Sequence, residues 1–318
     1  MAFDVIGLGF TSVDYIGIVP ELPRLDEGTR ILDFTRQGGG PVAQALVTLA
    51  RLGASAGFVG RVGDDEAGAF MRRGLANEGV DLSRLQVERG ATSGQCIILV
   101  HAATGKRSIC FHPGTISPID ADTLDAGYLR SGRFLHLDGY APQAAMRAAT
   151  VARAAGVQVC LDAGGFGPHI AALAAVADVL IAGEQCARVV GGGDYRDGAR
   201  RLLAMGPGIV TVTLGADGSF TKTRDEEFSY PAFAVPVVDT TGAGDVFHGA
   251  YVFGLLQGWA LETVVPFASA AAALKCQQLG GRAGIPNYPA VVAFLRQRAP
   301  NDVPGPPEAG DAPASADL

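Results

Sequence analysis

Several features that mark other classes of protein are missing from this 318-residue sequence. It contains no apolar run of the ~18 residues that a bilayer-spanning helix needs. Its first ten residues, MAFDVIGLGF, carry an acidic residue and no basic one, unlike a secretory signal. Lys and Arg number 25 against 32 Asp and Glu, a formal net charge of −7, which disfavours nucleic acid and anionic membranes as partners. We therefore expect a soluble cytoplasmic protein.

Cysteine is sparse, and its spacing excludes the common metal and redox motifs. The five cysteines are Cys96, Cys110, Cys160, Cys186 and Cys276. No two of them form a Cys-x-x-Cys pair, so we expect buried free thiols and no structural zinc. Glycine, by contrast, is abundant at 44 residues and lies in loops beside predicted helix starts. Such loops let the backbone approach a ligand closely, which indicates a small-molecule or phosphate site.

Strand-like and helix-like segments alternate over most of the chain, beginning with a strand at 3–6. A helix is predicted from Pro41 to Leu52, because apolar residues recur at helical spacing until Gly53 ends the pattern. Further strands are predicted at 56–59, 133–137, 157–161, 177–181 and 209–214, and further helices at 64–78, 143–155, 194–205, 243–256 and 261–279. This alternation predicts an α/β fold with a doubly wound, mostly parallel sheet and helices on both faces.

Two segments depart from the alternation. Residues 11–37 are predicted to form short extended pieces, and residues 95–112 a hairpin whose turn is Thr104-Gly105-Lys106-Arg107. A loop is predicted at Gly38-Gly39-Gly40, with Pro41 well placed at the first helical position. The sequence therefore predicts a small β element added to the α/β domain.

The C-terminal end has the composition of a disordered segment. The last 19 residues, from Pro300 onward, include five prolines and four acidic residues but no Lys or Arg. We expect one domain over residues 1–298 and a disordered tail over residues 299–318.

The segment Asp239-Thr240-Thr241-Gly242-Ala243-Gly244-Asp245 opens a predicted helix. The small residues Gly242, Ala243 and Gly244 let a ligand come close to the backbone. The free N–H groups and the dipole of the helix then make an anion hole. Asp245 lies in the first turn. Such a carboxylate either complements the helix dipole or takes a hydroxyl proton during phosphoryl transfer.

This segment closely resembles the C-terminal motif of the PfkB/ribokinase family of carbohydrate kinases. The N-terminal family motif has its counterpart in GGGPVAQA at residues 38–45, and residues 60–65, 267–274 and 280–286 are also similar to family segments. The resemblance covers roughly residues 3–297. It implies a ribokinase-like fold in which a small β lid, at about 11–37 and 95–112, closes over the sugar.

The resemblance also implies an activity and a role for individual residues. The implied reaction is ATP-dependent phosphorylation of a sugar primary hydroxyl, with Mg²⁺. Asp245 would be the catalytic base and Gly242, Ala243 and Gly244 the anion hole. The residues implied to bind sugar are Asp14, Gly39, Gly40 and Gln44. Those implied at the nucleotide are Thr213, Gly215, Gly218, Ser269 and, toward Mg²⁺, Glu184. The carbonyls of Asp239 and Thr241, with the loop at 280–284, match a monovalent-cation site for K⁺.

Three positions depart from the family pattern. Gln44 stands where the family usually has Asn, which moves the amide by one methylene. The family's Asn-x-x-Glu motif falls on Gly183-Glu184-Gln185-Cys186, where only Glu184 could substitute for its acids. Ser269 stands where some members carry Asn near the adenine.

Other functions remain open on the sequence alone. A nucleoside kinase of the same family uses the same motifs, and a catalytically weak ligand-binding or scaffold relative would explain the altered Asn-x-x-Glu motif. A Rossmann dehydrogenase is disfavoured, because Gly7-x-Gly9 is followed by Ser12 rather than Gly.

Substrate charge and oligomeric state also remain open. A phosphorylated substrate would need extra cations, and the candidates in the lid are Arg30, Arg36, Lys106 and Arg107. A homodimer through the lid is compatible with the apolar Val13, Ile16 and Ile18 on one lid strand.

Overall fold

A computed structural model describes residues 2–164 and 167–305. The strands are β1 Phe3–Leu8, β2 Ser12–Val19, β3 Asp33–Gly39, β4 Ala56–Gly63, β5 Asp81–Glu88, β6 Gln95–His101, β7 Arg107–His112, β8 Gly132–Leu137, β9 Gln158–Ala163, β10 Val179–Gly183, β11 Ile209–Thr213, β12 Ser219–Thr223 and β13 Glu227–Tyr230. The α-helices are α1 Pro41–Leu52, α2 Glu66–Asn77, α3 Ala126–Leu129, α4 Pro142–Ala154, α5 Pro168–Ala174, α6 Glu184–Gly191, α7 Tyr195–Ala204, α8 Ala243–Leu256, α9 Leu261–Lys275 and α10 Tyr288–Arg298.

Nine strands form one large sheet, in the order β13-β12-β11-β10-β9-β8-β1-β4-β5. The seven strands from β11 to β5 run parallel, and the hairpin β12–β13 adds two antiparallel strands at one edge. Successive residues of β1 point to opposite faces. Val5 packs with α1, α8 and α9, whereas Ile6 packs with α4 on the other face. The predicted mostly parallel sheet with helices on both faces is confirmed.

The other four strands form a separate small sheet in the order β3-β2-β6-β7, which we call the small sheet. Its central pair, β2 and β6, is parallel, and the outer pairs are antiparallel. Strand β2 follows directly after β1 and β3 leads directly into α1, so the small sheet lies at the carboxyl end of β1. Parallel α/β sheets bind their ligands at this edge.

Several boundaries differ from the sequence-based prediction. Gly38 and Gly39 are not loop residues but the last two residues of β3, where they pair with Val13 and Ser12. Strand β4 runs on to Gly63, four residues beyond its predicted end. Helix α9 ends at Lys275 rather than at 279.

Three strands were missed altogether. Strand β5 is an edge strand with mostly half-buried or exposed side chains, so it lacks the apolar signal that marks a core strand. No strand was predicted for the short hairpin β12–β13.

Residues 300–305 are held against the domain although the sequence places them in a disordered tail. Pro300–Asp302 form a 3₁₀ turn, and the hydroxyl of Tyr230 donates to Asp302 Oδ2 at 2.6 Å. The hydroxyl of Tyr288 donates to the Gly305 carbonyl at 2.9 Å. The rest of the predicted tail, 306–318, lies outside the described residues.

The expected burial of the cysteines holds for four of the five thiols. Cys110, on β7, is exposed. No helix within the described ranges is long and apolar enough to cross a bilayer.

Candidate active site

The N-terminus of α8 is an open helix end at the carboxyl edge of the large sheet. Gly242 caps the helix in the left-handed conformation, with φ of 75° and no capping side chain. A Cβ at Gly242 would lie 3.1 Å from the Cα of Gly281, so glycine suits both the backbone angle and the space. Gly244, within the first turn, is exposed and borders open space. First-turn N–H groups and the positive end of the helix dipole can therefore receive an anion.

Asp245 lies in this first turn and is half-buried. Burial and the nearby charge of Asp162 raise the pKa of Asp245 to about 7, against the opposing effects of His248 and Arg107. A carboxyl group that titrates near neutral pH can hold a proton taken from a substrate and release it again. The predicted base therefore has an environment that suits acid–base chemistry.

An ion pair lies close to Asp245 and influences its pKa. His248, one helical turn further along α8, places Nδ1 2.9 Å from Oδ2 of Asp162, near the end of β9. Burial acts to lower the pKa of His248, but the Asp162 carboxylate, together with Asp245 and the Ile181 backbone, raises it overall. His136 lies beside the pair, and burial and His248 lower its pKa to about 4, so it is neutral.

These three residues form the one cluster in the described part of the chain whose donor atoms could hold a metal ion. Their ligand atoms lie within 4.8 Å of one another. His248 and Asp162 form an ion pair, but the ring nitrogens of His248 and His136 have no hydrogen-bond partner among the described residues. The charges of Asp162 and His248 both act on Asp245. Neither Asp162 nor His136 was identified from the sequence.

Asp14, the predicted sugar-binding carboxylate, is buried in β2 of the small sheet. Its Oδ1 accepts a hydrogen bond from Ser12 Oγ at 2.7 Å, and burial raises the pKa of Asp14. A side chain at Gly39 would collide with this carboxylate, and one at Gly40 would collide with the backbone of Phe10. The two glycines are therefore required by close packing around Asp14.

Three aromatic rings from different elements meet on the side of the small sheet that carries Asp14. Phe10 follows β1, Tyr140 follows β8, and Phe111 lies on β7, opposite Cys96 on the same side of the small sheet as Asp14. Phe10 stacks on Tyr140 with centroids 4.9 Å apart and meets Phe111 edge-on at 5.2 Å. We call these three rings the aromatic wall.

Asp138 holds two members of the aromatic wall in place. Its carboxylate accepts the backbone N–H of Phe10 at 2.8 Å and that of Tyr140 at 3.0 Å. Burial raises the pKa of Asp138 to about 7. Phe10, Asp138 and Tyr140 were not identified from the sequence, although each lies within three residues of the carboxyl end of a parallel strand, which was the available signal.

Gln44 is buried, and its amide oxygen is turned toward the loop after α9. Its Oε1 accepts a hydrogen bond from Nε of Arg282 at 2.8 Å. Arg282 is itself buried, which lowers its pKa to about 10, and its guanidinium lies against Gly38. The amide that the family resemblance directs to the sugar thus has a partner within the chain.

Gln37 of β3 joins the small sheet to the same loop. Its Oε1 accepts the N–H groups of Arg282 and Ala283 at 2.9 and 3.1 Å. Its Nε2 donates to the carbonyl of Leu279 at 3.0 Å. One amide side chain therefore attaches the small sheet to residues 279–283, which we call the C-terminal loop.

The predicted nucleotide residues lie along the carboxyl edge of the large sheet. Thr213 ends β11, and Gly215 and Gly218 occupy the turn into β12 with φ of 61° and 93°. A side chain at Gly218 would collide with the Tyr230 carbonyl, whereas Gly215 borders open space. Ser269 is buried in α9.

Glu184, the acid predicted to lie toward Mg²⁺, follows β10 at the start of α6. Its carboxylate pairs with Arg188 one turn later, at 2.7 Å. Its side chain remains 40% exposed, so this pairing leaves it accessible at the same edge of the sheet.

Arg107 connects the hairpin of the small sheet to the α8 motif. Its Nη1 donates to Thr240 Oγ1 at 3.1 Å, and the N–H and hydroxyl of Thr240 both donate to the Gly105 carbonyl. Of the other cations considered from the sequence, Arg36 is paired with Glu66 at 2.8 Å. Arg107 is therefore the lid cation whose charge acts on Asp245.

The backbone before α8 is fixed by Asp239. Its Oδ1 accepts the N–H and hydroxyl of Thr241, and its Oδ2 accepts the N–H of Gly280 at 2.8 Å. The carbonyl of Asp239, predicted to bind K⁺, accepts a hydrogen bond from Nζ of Lys275 at 2.8 Å. A cation site was expected here, but a side-chain ammonium already occupies this oxygen.

Of the three apolar residues considered for a dimer face, two are buried and the third, Ile18, is half-buried. Val13 and Ile16 are fully buried within the chain, in two different clusters. Exposed apolar side chains do occur on the outer face of the small sheet, where Phe34 is 55% and Ile97 is 59% exposed beside a cavity of about 470 Å³.

Known proteins of similar sequence and structure share this architecture. An ATP-dependent ribose-1-phosphate kinase of Halopiger xanaduensis is 32% identical, over 92% of this chain and 98% of its own. A 5-dehydro-2-deoxygluconokinase of Shouchella clausii is 28% identical, over 93% and 96%. The structure of Arabidopsis thaliana ribokinase complexed with ribose and ATP is 26% identical, with a TM-score of 0.80 over 93% of this chain and 99% of that one. The model of the pfkB family carbohydrate kinases matches residues 3–287, so the chain belongs to the pfkB family of carbohydrate kinases.

Proposed function

We propose that the chain transfers the γ-phosphoryl group of ATP to a hydroxyl group of a sugar, with Asp245 as the base. The observation that carries this proposal is the position of Asp245. It lies in the first turn of an open helix end, with a pKa raised to about 7, at the edge where the small sheet contributes Asp14. A carboxylate placed beside an anion site can take a proton from an attacking hydroxyl.

The proposed reaction proceeds by direct transfer. Asp14 and the backbone at Gly39 and Gly40 bind the sugar hydroxyls, because a carboxylate can accept several such hydrogen bonds. The attacking hydroxyl gives its proton to Asp245, its oxygen forms the new bond to phosphorus, and the bond to ADP breaks. The first-turn N–H groups at Gly242–Gly244 and the guanidinium of Arg107 stabilise the charge that develops on the phosphoryl oxygens.

ATP is proposed to bind along the turn that contains Thr213, Gly215 and Gly218, with Ser269 nearby in α9. Mg²⁺ prefers carboxylate oxygens, and Glu184 offers them at the start of α6, directly after β10. Its accessible carboxylate would hold an ion whose chemistry is to neutralise charge on the phosphates.

A nucleoside is the second candidate substrate. The aromatic wall supports it, since flat rings on the side of the small sheet that carries Asp14 can stack on a base as readily as on the apolar face of a sugar. We place the sugar first because the chain lies in a family of carbohydrate kinases.

An ADP-release assay across a substrate panel tests both candidates. The panel holds ribose, ribose 1-phosphate, fructose, fructose phosphates, ketodeoxygluconate, 5-dehydro-2-deoxygluconate and adenosine, each with Mg²⁺ and ATP. The reaction is identified by a compound with which the native chain releases ADP from ATP and the Asp245→Ala variant does not. Binding of ATP and of a panel sugar without turnover by the native chain would instead support a ligand-binding or scaffold protein.

We further propose a homodimer through the outer face of the small sheet rather than through Val13 and Ile16. Exposed Phe34 and Ile97 support this surface. Light scattering should report a dimer for the native chain and a monomer for the variant with both Phe34→Ser and Ile97→Ser. A native monomer would contradict the proposal.

A further inference from the structure

Lys275 is a buried lysine at the end of α9, beside the segment that leads into α8. Its side chain is fully buried. Its ammonium donates to the Asp239 carbonyl at 2.8 Å. A buried ammonium group destabilises the fold unless a partner stabilises its charge. Burial disfavours the charged form and lowers the pKa of Lys275. Its presence here therefore needs an explanation.

Pairing with the Asp239 carboxylate does not provide one. Both carboxylate oxygens already accept hydrogen bonds, from Thr241 and from the N–H of Gly280. Among residues 2–164 and 167–305, no carboxylate oxygen lies within 4.0 Å of Nζ of Lys275, so the ammonium forms no salt bridge there. The ammonium instead binds a backbone carbonyl, which is how a protein commonly binds a bare cation.

The backbone around Lys275 is closely packed. The carbonyl of Cys276 accepts the N–H groups of Val238 and Asp239, at 2.8 and 3.1 Å. On the other side, a side chain at Gly284 would collide with the backbone of Lys275. The segments named for a monovalent cation, 239–241 and the loop at 280–284, are thus the segments packed around this lysine.

We propose that the ammonium of Lys275 takes the place of the monovalent cation, so that this enzyme works without K⁺. The residues do not fit the ion: a K⁺ on the Asp239 carbonyl would share a buried oxygen with an ammonium, and like charges repel strongly at low dielectric. Lys275 acts as a positioning residue. It holds the backbone of Asp239 and, through it, the start of α8.

The inference rests on the proposed kinase activity for its first test. The native chain is assayed in K⁺ and in choline at equal ionic strength, and we expect rates within about twofold of each other. Lys275→Met should lose at least tenfold in kcat in choline and recover in K⁺ or ammonium chloride. The control is Lys222→Met, which removes a lysine that lies on β12, remote from the site. This variant should behave like the native chain in both salts.

A second test does not depend on activity or on knowing the sugar. The thermal unfolding midpoint of the native chain should be the same in K⁺ and in choline, and that of Lys275→Met should rise in K⁺ alone. If Lys275→Met folds only in K⁺, the proposal is equally supported.

Two results would overturn it. One is a native chain that K⁺ activates tenfold or stabilises against heat. The other is a folded Lys275→Met that no monovalent cation affects. Because the melting test needs no turnover, failure of the proposed activity and failure of this inference are distinguishable.

Discussion

The large sheet and the small sheet hold their site residues by different means. Asp162 and His248 are buried on β9 and α8, whose apolar side chains belong to the two main core clusters. Strand β7 of the small sheet, by contrast, is exposed along its whole length. The small sheet makes polar contacts to the C-terminal loop through Gln37, and to the α8 motif through Arg107 and the Gly105 carbonyl.

This difference separates two tasks. The proposed base and anion site rest on the part of the molecule with the most buried contacts, so their geometry resists change. The proposed sugar-binding side rests on a small sheet whose outer strand β7 is exposed, and regions with few buried contacts open at low free-energy cost. We expect substitutions in the first region to alter the chemical step and substitutions in the second to alter substrate capture.

The largest effect is expected at Asp245. Asp245→Asn should lower kcat by at least about 10³-fold, because the base is lost. It should also stabilise the fold at pH 8. Between about pH 4 and 7 the folded protein keeps a proton that the unfolded chain has lost, so the native carboxyl lowers stability as pH rises.

Two measurements check this prediction. Melting curves at pH 8 and pH 4 should show a gap between Asp245→Asn and the native chain that closes at the lower pH. Asp225→Asn, at an exposed turn, is the control and should change neither rate nor melting. An active Asp245→Asn would remove the proposed mechanism.

The next largest effect is expected on substitution of Arg107, a residue of the small sheet. Arg107→Ala should lower kcat about 10²-fold, since one cationic donor near the transferred group is lost. Its melting temperature should be unchanged, because the side chain is exposed. Lys106→Ala, one residue earlier in the same turn, should keep native activity. Equal losses in both variants would mean that the turn acts only as a structural element.

Substitution of His248 should shift the pH dependence of the rate rather than abolish activity. The rate of the native chain should rise with pH through about 7, as Asp245 loses its proton. The charge of His248 lowers the pKa of Asp245, so His248→Gln should move the profile to higher pH. A shift of one pH unit reduces the rate about tenfold at pH below 7 and leaves the high-pH plateau unchanged. A profile that stays in place would show that the Asp162 ion pair does not influence the base.

The smallest effect is expected at Gln37. Gln37→Ala removes three hydrogen bonds to the C-terminal loop and should raise KM for the sugar a few-fold with little change in kcat. The free energy of unfolding should fall by about 1–2 kcal/mol. Gln143→Ala, at the exposed start of α4, serves as the matched control. A fall in kcat with unchanged KM would place Gln37 in the chemical step instead.

The sequence predicted the parts of the site that short motifs encode. Asp245, the Gly242–Gly244 helix start and Asp14 were predicted because the motifs that contain them extend over only a few neighbouring residues. Contacts between distant segments could not be found in this way. Gln44 and Arg282 are 238 positions apart, and nothing in the local pattern of either residue predicts that they pair.

The elements of the fold that were misplaced also depend on contacts between distant segments. Gly38 and Gly39 resemble a loop by composition, and only pairing with β2 makes them a strand. Lys275 follows a run of alanines at a helix end, where a solvated lysine is the ordinary expectation. Its burial depends on how the C-terminal loop folds over it.

The exposure of a single thiol gives the native chain a built-in reporter. Cys110 lies on β7, whereas the other four thiols are buried and their pKa values are raised, in Cys96 to about 12, so they react slowly with alkylating reagents. A maleimide dye should therefore label the small sheet alone, without any engineered cysteine. Its fluorescence would then follow the movement of that sheet in real time as sugar and ATP are added.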